Sequence, residues 1–260
     1  MLNSKAFVAV AVVALAIIVS WFAFFAKEPA PDFTAYPAGP DRKAAFFEYF
    51  TPIVVDLNRE FVADRQQIES ACDTGKTNQL DEFITKFRIE DDELEQESAC
   101  TILLRRADII PVSLAIAQAA NESAWGTSRF AKQGNNFFGQ WCFTKGCGIV
   151  PKSRDTNKTH EVADFRSPAD SVKSYMLNLN THDAYKPLRN IRQNLRKKGE
   201  VITGVALSYG LNKYSERGDE YGKELRDMIS FNKLGSLDKL DAIHRKMTRN
   251  NWVSRPKMRL

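Results

Sequence analysis

Glu122 is the residue whose surroundings most directly suggest chemistry. It follows an alanine-rich apolar run through Leu114, Ala117, Gln118 and Ala120, and it precedes Trp125-Gly126. Glycine readily takes the left-handed conformation that ends a helix, so the spacing predicts Glu122 in a last helical turn. The negative end of the helix dipole disfavours a further negative charge there. Apolar neighbours and the Trp125 ring add desolvation, which also favours the neutral form of a carboxyl. A carboxyl that keeps its proton near neutral pH is a general acid, the kind that protonates a departing sugar oxygen. The competing reading is a helix-end glutamate paired with Arg129.

Helices must do the positioning. Thr51-Pro52 reads as an N-cap followed by proline at the first helical position, with Val54, Leu57, Phe61 and Ile68 on one face. Leu80, Phe83, Ile84 and Phe87 form a second short stripe, and the acidic stretch Glu90 to Glu97 reads as a solvated first turn. Pro111-Val112-Ser113 stops one helix and starts the one that leads to Glu122. Between Gly146 and Phe165 the helical period lapses, and Gly148-Ile149-Val150-Pro151 with His160-Glu161-Val162 read as two short strands. Helices resume through Val172, Tyr175, Met176 and Leu179, from Val201 to Tyr209 with Gly210 as C-cap, and through Tyr221, Leu225, Met228 and Ile229. The prediction is a mainly α body of the α+β class with one hairpin.

The 260 residues carry 37 basic and 32 acidic side chains, a net charge of +5, and are 43% hydrophobic. This globular composition leaves room for one sizeable domain plus a leader, or two small domains. Ala6 to Ala26 is 21 residues without a charge, and Ser20 is its only residue that is not apolar. As a helix it spans about 31 Å, enough for a hydrocarbon core. Trp21, Phe22, Phe24 and Phe25 near its end suit an interfacial belt better than a cleavage site. Residues 1–27 are therefore read as an inner-membrane anchor, or else a signal, with the body exported to the periplasm. No second apolar stretch is long enough to span, which excludes a polytopic membrane protein.

Residues 28–41 hold four prolines and read as an extended spacer, or as an ordinary domain-entry loop. Residues 42–235 form the body and 236–260 a basic tail. Lys186, Arg189, Arg192, Arg196, Lys197 and Lys198 come without an acid between them, and seven basic residues from Lys239 onward face only Asp241. Both clusters suit an anionic wall or membrane surface. Nucleic-acid binding conflicts with export and lacks a recognised module.

Exported cysteines normally pair. Cys142 and Cys147 flank four residues including Gly146, and closing that tight loop leaves Cys72 with Cys100. Three connectivities remain open from sequence alone. A metal site is disfavoured, because the spacing is not C-x2-C and the three histidines are scattered.

The run Gln118-Ala-Ala-x-Glu-Ser-x-Trp-Gly-x-Ser-x-Phe-Ala, then Gly134-Asn-Asn-Phe-Phe-Gly139, resembles the signature of family 73 glycoside hydrolases, the bacterial N-acetylglucosaminidases of peptidoglycan. The resemblance is closest to their Bax-like bacterial branch. It continues through Gln140-Trp-Cys-Phe-x-x-Gly-Cys-Gly-Ile-Val-Pro151, His160-Glu-Val162 and Leu179-Asn-Thr-His-x-Ala-Tyr185, and it covers roughly residues 42 to 231. It implies a lysozyme-like helical domain, a β-hairpin beside the cleft, no cofactor, a glycan substrate in peptidoglycan, and Glu122 as general acid.

The second catalytic group is less defined by the resemblance. Family members with a longer hairpin carry Thr-Glu-Tyr on its first strand, and that segment is missing here. Glu161 is the candidate carboxylate, with Asp164 and Asp155 nearby; its competing reading is a hairpin surface charge. The other route lets the substrate's own acetamido oxygen attack, with no protein nucleophile. Tyr214 and Tyr221 stand in a Tyr-x6-Tyr arrangement that partly matches the family's, placing Tyr214 as a sugar-orienting residue and Tyr221 as a binding or core residue. Sugars need rings to stack on and amides for their hydroxyls; Trp125, Phe138 and Trp141 with Asn135, Asn136 and Gln140 offer both. The alternatives are a lytic transglycosylase, which typically follows its glutamate with a Gly-Leu-Met-Gln-type segment where Asn135-Asn-Phe-Phe-Gly139 stands here, and a wall-binding scaffold without turnover.

Overall fold

The computed structural model describes residues 26–152, 154 and 158–239. The anchor expected over 1–27 and the tail from 240 onward thus lie outside the described residues, save at their edges, and so does Asp155. Among the described residues no helix is long and apolar enough to cross a membrane.

The longest helix, α1 (Pro40–Asp73), starts twelve residues earlier than the Thr51-Pro52 signal predicts. Gly39 precedes it at φ 120°, Pro40 takes the favourable first position and Asp41 lies in the first turn. Pro52 is inside the helix. Phe46, Phe50, Val54, Leu57, Phe61 and Ile68 form one continuous buried stripe across it. Burying a phenylalanine is worth about 1.5–3 kcal/mol, so that stripe outweighs the one amide hydrogen bond that Pro52 lacks.

Three short helices follow: α2 (Asp81–Lys86), α3 (Asp91–Gln96) and α4 (Ala99–Arg106). The acidic run becomes α3, opened by a capping box in which Glu90 and Glu93 bond reciprocally. A disulfide joins Cys72 at the end of α1 to Cys100 in α4, with Cα atoms 5.9 Å apart. The buried helix α5 (Val112–Ser123) packs against α1 and against two later helices, α9 (Gly204–Ser208) and α10 (Asp219–Phe231). Helix α6 (Arg129–Gly134) leads to a small sheet, then α7 (Pro168–Thr181) and α8 (Lys186–Lys197) complete the shell.

The sheet has three strands, one more than the hairpin expected: β1 (Trp141–Cys142), β2 (Gly148–Ile149) and β3 (Glu161–Ala163), in antiparallel order β1-β3-β2. The Cys142–Cys147 disulfide closes the β1–β2 loop, with Cα atoms 6.2 Å apart. The structure thus selects one of the three connectivities that the sequence leaves open.

Three boundaries or surfaces differ from expectation. The proline-rich stretch is docked, not a free spacer. Glu28 N donates to Arg166 O (2.8 Å), Ala30 N donates to Asn135 Oδ1 (3.4 Å), and Phe33 lies 1% exposed against Phe46 and Phe50.

The basic run at 186–198 turns half its charge inward. Arg189 and Arg192, on the same face of α8, are buried. Arg189 donates to Leu179 O and His182 O at the end of α7, and Arg192 to Arg105 O and Arg106 O at the end of α4. Cations are favoured at helix C-termini, and these two act there as caps. Burial pushes Arg189 down to about 9 and Arg192 down to about 10. Arg196 is paired with Asp108. Only Lys186, Lys197 and Lys198 remain as an exposed basic surface.

Finally, the body continues past residue 235. Asp238 is 2% exposed, accepts from Ser113 N (2.9 Å) and Ser113 Oγ (2.7 Å), and also from Gly204 N (3.0 Å). One carboxylate thereby caps the first turns of α5 and α9.

Candidate active site

Glu122 lies in the last turn of α5, as the sequence predicts, but the helix ends sooner and less cheaply than a glycine stop. Ala124 (φ 49°) and Trp125 (φ 58°) both adopt the left-handed conformation before Gly126 (φ 76°) does. Each such non-glycine residue is sparsely populated and costs on the order of 1 kcal/mol or more. The turn is braced by Ser123, whose hydroxyl donates to Ala119 O (2.6 Å) and accepts from Gly126 N (2.8 Å). Phe33 of the docked strap packs so closely on Gly126 that a Cβ there would collide with its ring.

The half-buried Glu122 carboxyl is held through one oxygen. Tyr221 Oη donates to Oε1 (2.8 Å), and Asn121 Nδ2 makes a longer contact to the same atom (3.4 Å). No hydrogen bond to Oε2 forms among the described residues. Behind Tyr221, Gln118 Nε2 donates to the Tyr221 oxygen (3.0 Å), and Tyr175 Oη donates to Gln118 Oε1 (2.6 Å). Tyr214 stacks on Tyr221 with ring centroids 5.2 Å apart and donates to Phe138 O (3.2 Å). Burial first, and the negative charge of Glu122 among the other causes, pushes the hydroxyls of Tyr175, Tyr214 and Tyr221 well above their ordinary range. They stay protonated and serve as fixed donors. The competing pairing with Arg129 is absent: Arg129 donates to Val150 O and lies over the Phe130 ring.

Several predicted sugar contacts face inward instead. Trp125 packs edge-on against Phe46 and Phe47, with Lys43 over its ring, so it belongs to the α1 face. Asn135 is 1% exposed; its amide donates to Glu28 O, Phe165 O and Arg166 O. Asn136 donates to Gln140 O and Ala163 O and accepts from Phe138 N and Gln140 N, tying the loop to β3. Phe138 is buried and stacked on Tyr175 at 3.9 Å. The Gln140 amide, oriented to donate to Ser171 O and accept from Ser174 Oγ and Tyr175 N, holds α7. A buried polar side chain must find partners, and this loop finds them in backbone. Trp141 alone of these residues is exposed, at 58%, with its other face stacked on His160 at 4.1 Å.

Glu161 is buried on β3. Its oxygens accept from Gly146 N (3.1 Å) and Gly148 N (2.8 Å), and those amides hold its carboxyl below the usual range. It is neither an exposed surface charge nor a carboxylate with an unengaged oxygen. Cys142, Cys147 and Glu161 lie close together, but the two sulfurs are joined in the disulfide and offer no thiolate to a metal. Asp164 is exposed and paired with Lys27.

Sequence reasoning overlooked what Gln118 and Tyr175 do. Apart from Ser113, Gln118 is the one polar residue between Val112 and Ala120, and it stands four positions before Glu122, hence on the same helix face. That was the available signal. A depression of about 620 Å³ opens elsewhere, between the strap, α1 and the start of α7, and it includes none of these residues.

The chain is 32% identical over 207 residues to Protein bax of Escherichia coli (strain K12), spanning 78% of this chain and 74% of that protein. The catalytic domain of the autolysin Auto from Listeria monocytogenes is 17% identical with a TM-score of 0.46, over 78% of this chain and 92% of that one. Residues 98–234 match the glucosaminidase family model, described as mannosyl-glycoprotein endo-β-N-acetylglucosaminidase. With that match covering more than half of its length and containing the Glu122 site, the chain belongs to the glucosaminidase family of glycoside hydrolases.

Proposed function

We propose that the protein hydrolyses β-1,4 bonds of N-acetylglucosamine in peptidoglycan glycan strands, with Glu122 as general acid. The observation that carries this reading is the asymmetry of the Glu122 carboxyl: Oε1 is anchored on Tyr221, while Oε2 has no hydrogen-bond partner among the described residues. A protonated Oε2 is the group that would meet a glycosidic oxygen. Tyr214, stacked on Tyr221, is proposed to orient the reacting sugar. With Glu161 committed to the β1–β2 loop, the attacking group is best supplied by the substrate's own acetamido oxygen, and Glu161 serves to shape the sheet. The apolar run over Ala6–Ala26 supports a body tethered to the inner membrane and facing the periplasm.

Trp141 is the proposed sugar platform. Its exposed indole face suits an N-acetylglucosamine ring, so Trp141→Ala is expected to raise KM about 3- to 10-fold, the loss of one stacking contact. kcat and the unfolding midpoint should stay within twofold and about 0.5 kcal/mol of the parent. Steady-state kinetics on solubilised glycan strands check this.

Mass spectrometry of digested peptidoglycan tests the reaction. Products ending in reducing N-acetylglucosamine support hydrolysis at that sugar. Anhydromuramic ends would assign a lytic transglycosylase, and no products from a folded enzyme would leave only a wall-binding domain.

A further inference from the structure

We propose that Gln118, held by Tyr175, fixes the direction of hydrogen bonding at Glu122, so that Oε1 is the receiving oxygen and Oε2 the one that carries and delivers the proton. This rests on the reading of Glu122 as the acid and names the residues that orient it.

The argument is one of polarity. A tyrosine hydroxyl has one proton to donate, and a glutamine amide donates at nitrogen and accepts at oxygen. The contact from Tyr175 Oη to Gln118 is 2.6 Å and the one to Tyr221 Oη is 3.0 Å. Oxygen–oxygen hydrogen bonds centre near 2.7–2.8 Å and nitrogen–oxygen bonds near 2.9–3.0 Å. The shorter contact is therefore the amide oxygen, and the longer one the amide nitrogen. Tyr221 then receives from Gln118, and its single proton goes to Glu122 Oε1 at 2.8 Å. Tyr175 is locked in turn, because its ring is fully buried and stacked on Phe138. Every member of the chain has one orientation left.

The titratable groups that feel the Glu122 charge are tyrosines: Tyr175 of α7, Tyr185 of the 3-10 turn Asp183–Tyr185, Tyr214 of the loop before α10, and Tyr221 of α10. Its sequence neighbour Asn121 is a neutral amide. No cationic side chain among the described residues pairs with it. Gln118 and Tyr175 do not touch the carboxyl and act through Tyr221, which makes them positioning residues.

The test compares Tyr175→Phe, Gln118→Met and the double variant, each in the full chain. The first readout is the 13C shift of the Glu122 carboxyl at one fixed pH, which requires no turnover; kcat and KM on glycan strands are measured alongside. Loosening the Tyr221 donor lets the two carboxyl oxygens exchange roles, so the 13C shift of Glu122 should move away from the parent value in each single variant. kcat should fall about tenfold with KM within twofold. The double variant should shift no further than Gln118→Met alone, because both act through one bond. Parent 13C shifts in both single variants, or changes that add in the double, would overturn the relay. Tyr175→Phe retains the ring stack on Phe138 and reports even if Gln118→Met fails to fold. An inactive wild type with the expected NMR shifts would count against the proposed activity and leave the relay standing.

Discussion

Glu122→Gln is expected to lower turnover on peptidoglycan glycan strands by about 10²–10⁴-fold, the span typical of a lost general acid. Glutamine keeps the volume of the side chain and still accepts the Tyr221 proton at Oε1, so the anchoring bond at 2.8 Å persists. What disappears is the proton that Oε2 would pass to the leaving oxygen. KM should change little, because the proposed sugar platform at Trp141 is untouched, and thermal unfolding should coincide with that of the parent. Stopped assays with released reducing ends as the readout are sufficient. Parent-like turnover would remove Glu122 from the mechanism and with it the proposed hydrolysis.

The second large effect is on stability and lies far from the chemistry. Asp108 is 2% exposed and is ringed by Arg65 (3.6 Å), Arg192 (4.0 Å) and Arg196 (2.6 Å from Nε). Its oxygen also receives Ile109 N at 2.8 Å. Burial alone would raise its carboxyl, but the guanidiniums of Arg192, Arg196 and Arg65 outweigh it and hold the group below its ordinary value. Asp108→Ala leaves the fully buried Arg192 without its counter-charge, and stranding one member of a buried pair costs about 3–5 kcal/mol. Urea unfolding at neutral pH should reveal a loss of that size, with turnover per folded molecule unchanged.

The same site predicts an acid limb. A carboxylate whose folded value is depressed contributes stability above its unfolded value near 4, and that contribution is lost as pH falls through the lower, folded value. The parent's midpoint should drop below about pH 4, and in Asp108→Ala this part of the fall should be missing.

How much of this was legible in the sequence depended on whether a signal concerned residue type or side-chain direction. The helix ending at Glu122 and the strands around Ile149 and Val162 follow from spacing, and spacing is written in one dimension; the cysteine connectivity, open among three pairings in sequence, needed the fold. Thr51-Pro52 reads as a helix start, yet the aromatic stripe running through Pro52 carries the helix back to Pro40, inside the stretch read as a spacer. Asn135, Asn136 and Gln140 have the chemistry of sugar ligands, yet the same amides can bond to backbone, and the fold uses them so. Arg189, Arg192 and Arg196 look like a cationic surface until the carbonyls at the ends of α4 and α7 are seen beside them. Trp125 was placed by type against the cleft and by packing against α1. Tyr221 was legible as a ring and illegible as the donor to Glu122, because its proton's destination depends on Gln118 and Tyr175.

The docked strap has a mechanical consequence. Fourteen extended residues between an upstream segment and the body would offer roughly 40 Å of reach. Because Glu28 is already bonded to the body and Phe33 is already in its core, almost none of that length is slack. A pull on the chain ahead of Ala26 would be taken up first at Glu28 and then, through Phe33, at the Gly126 turn on which its ring rests. An anchor upstream, as proposed, would therefore give the body a stiff mount with little play.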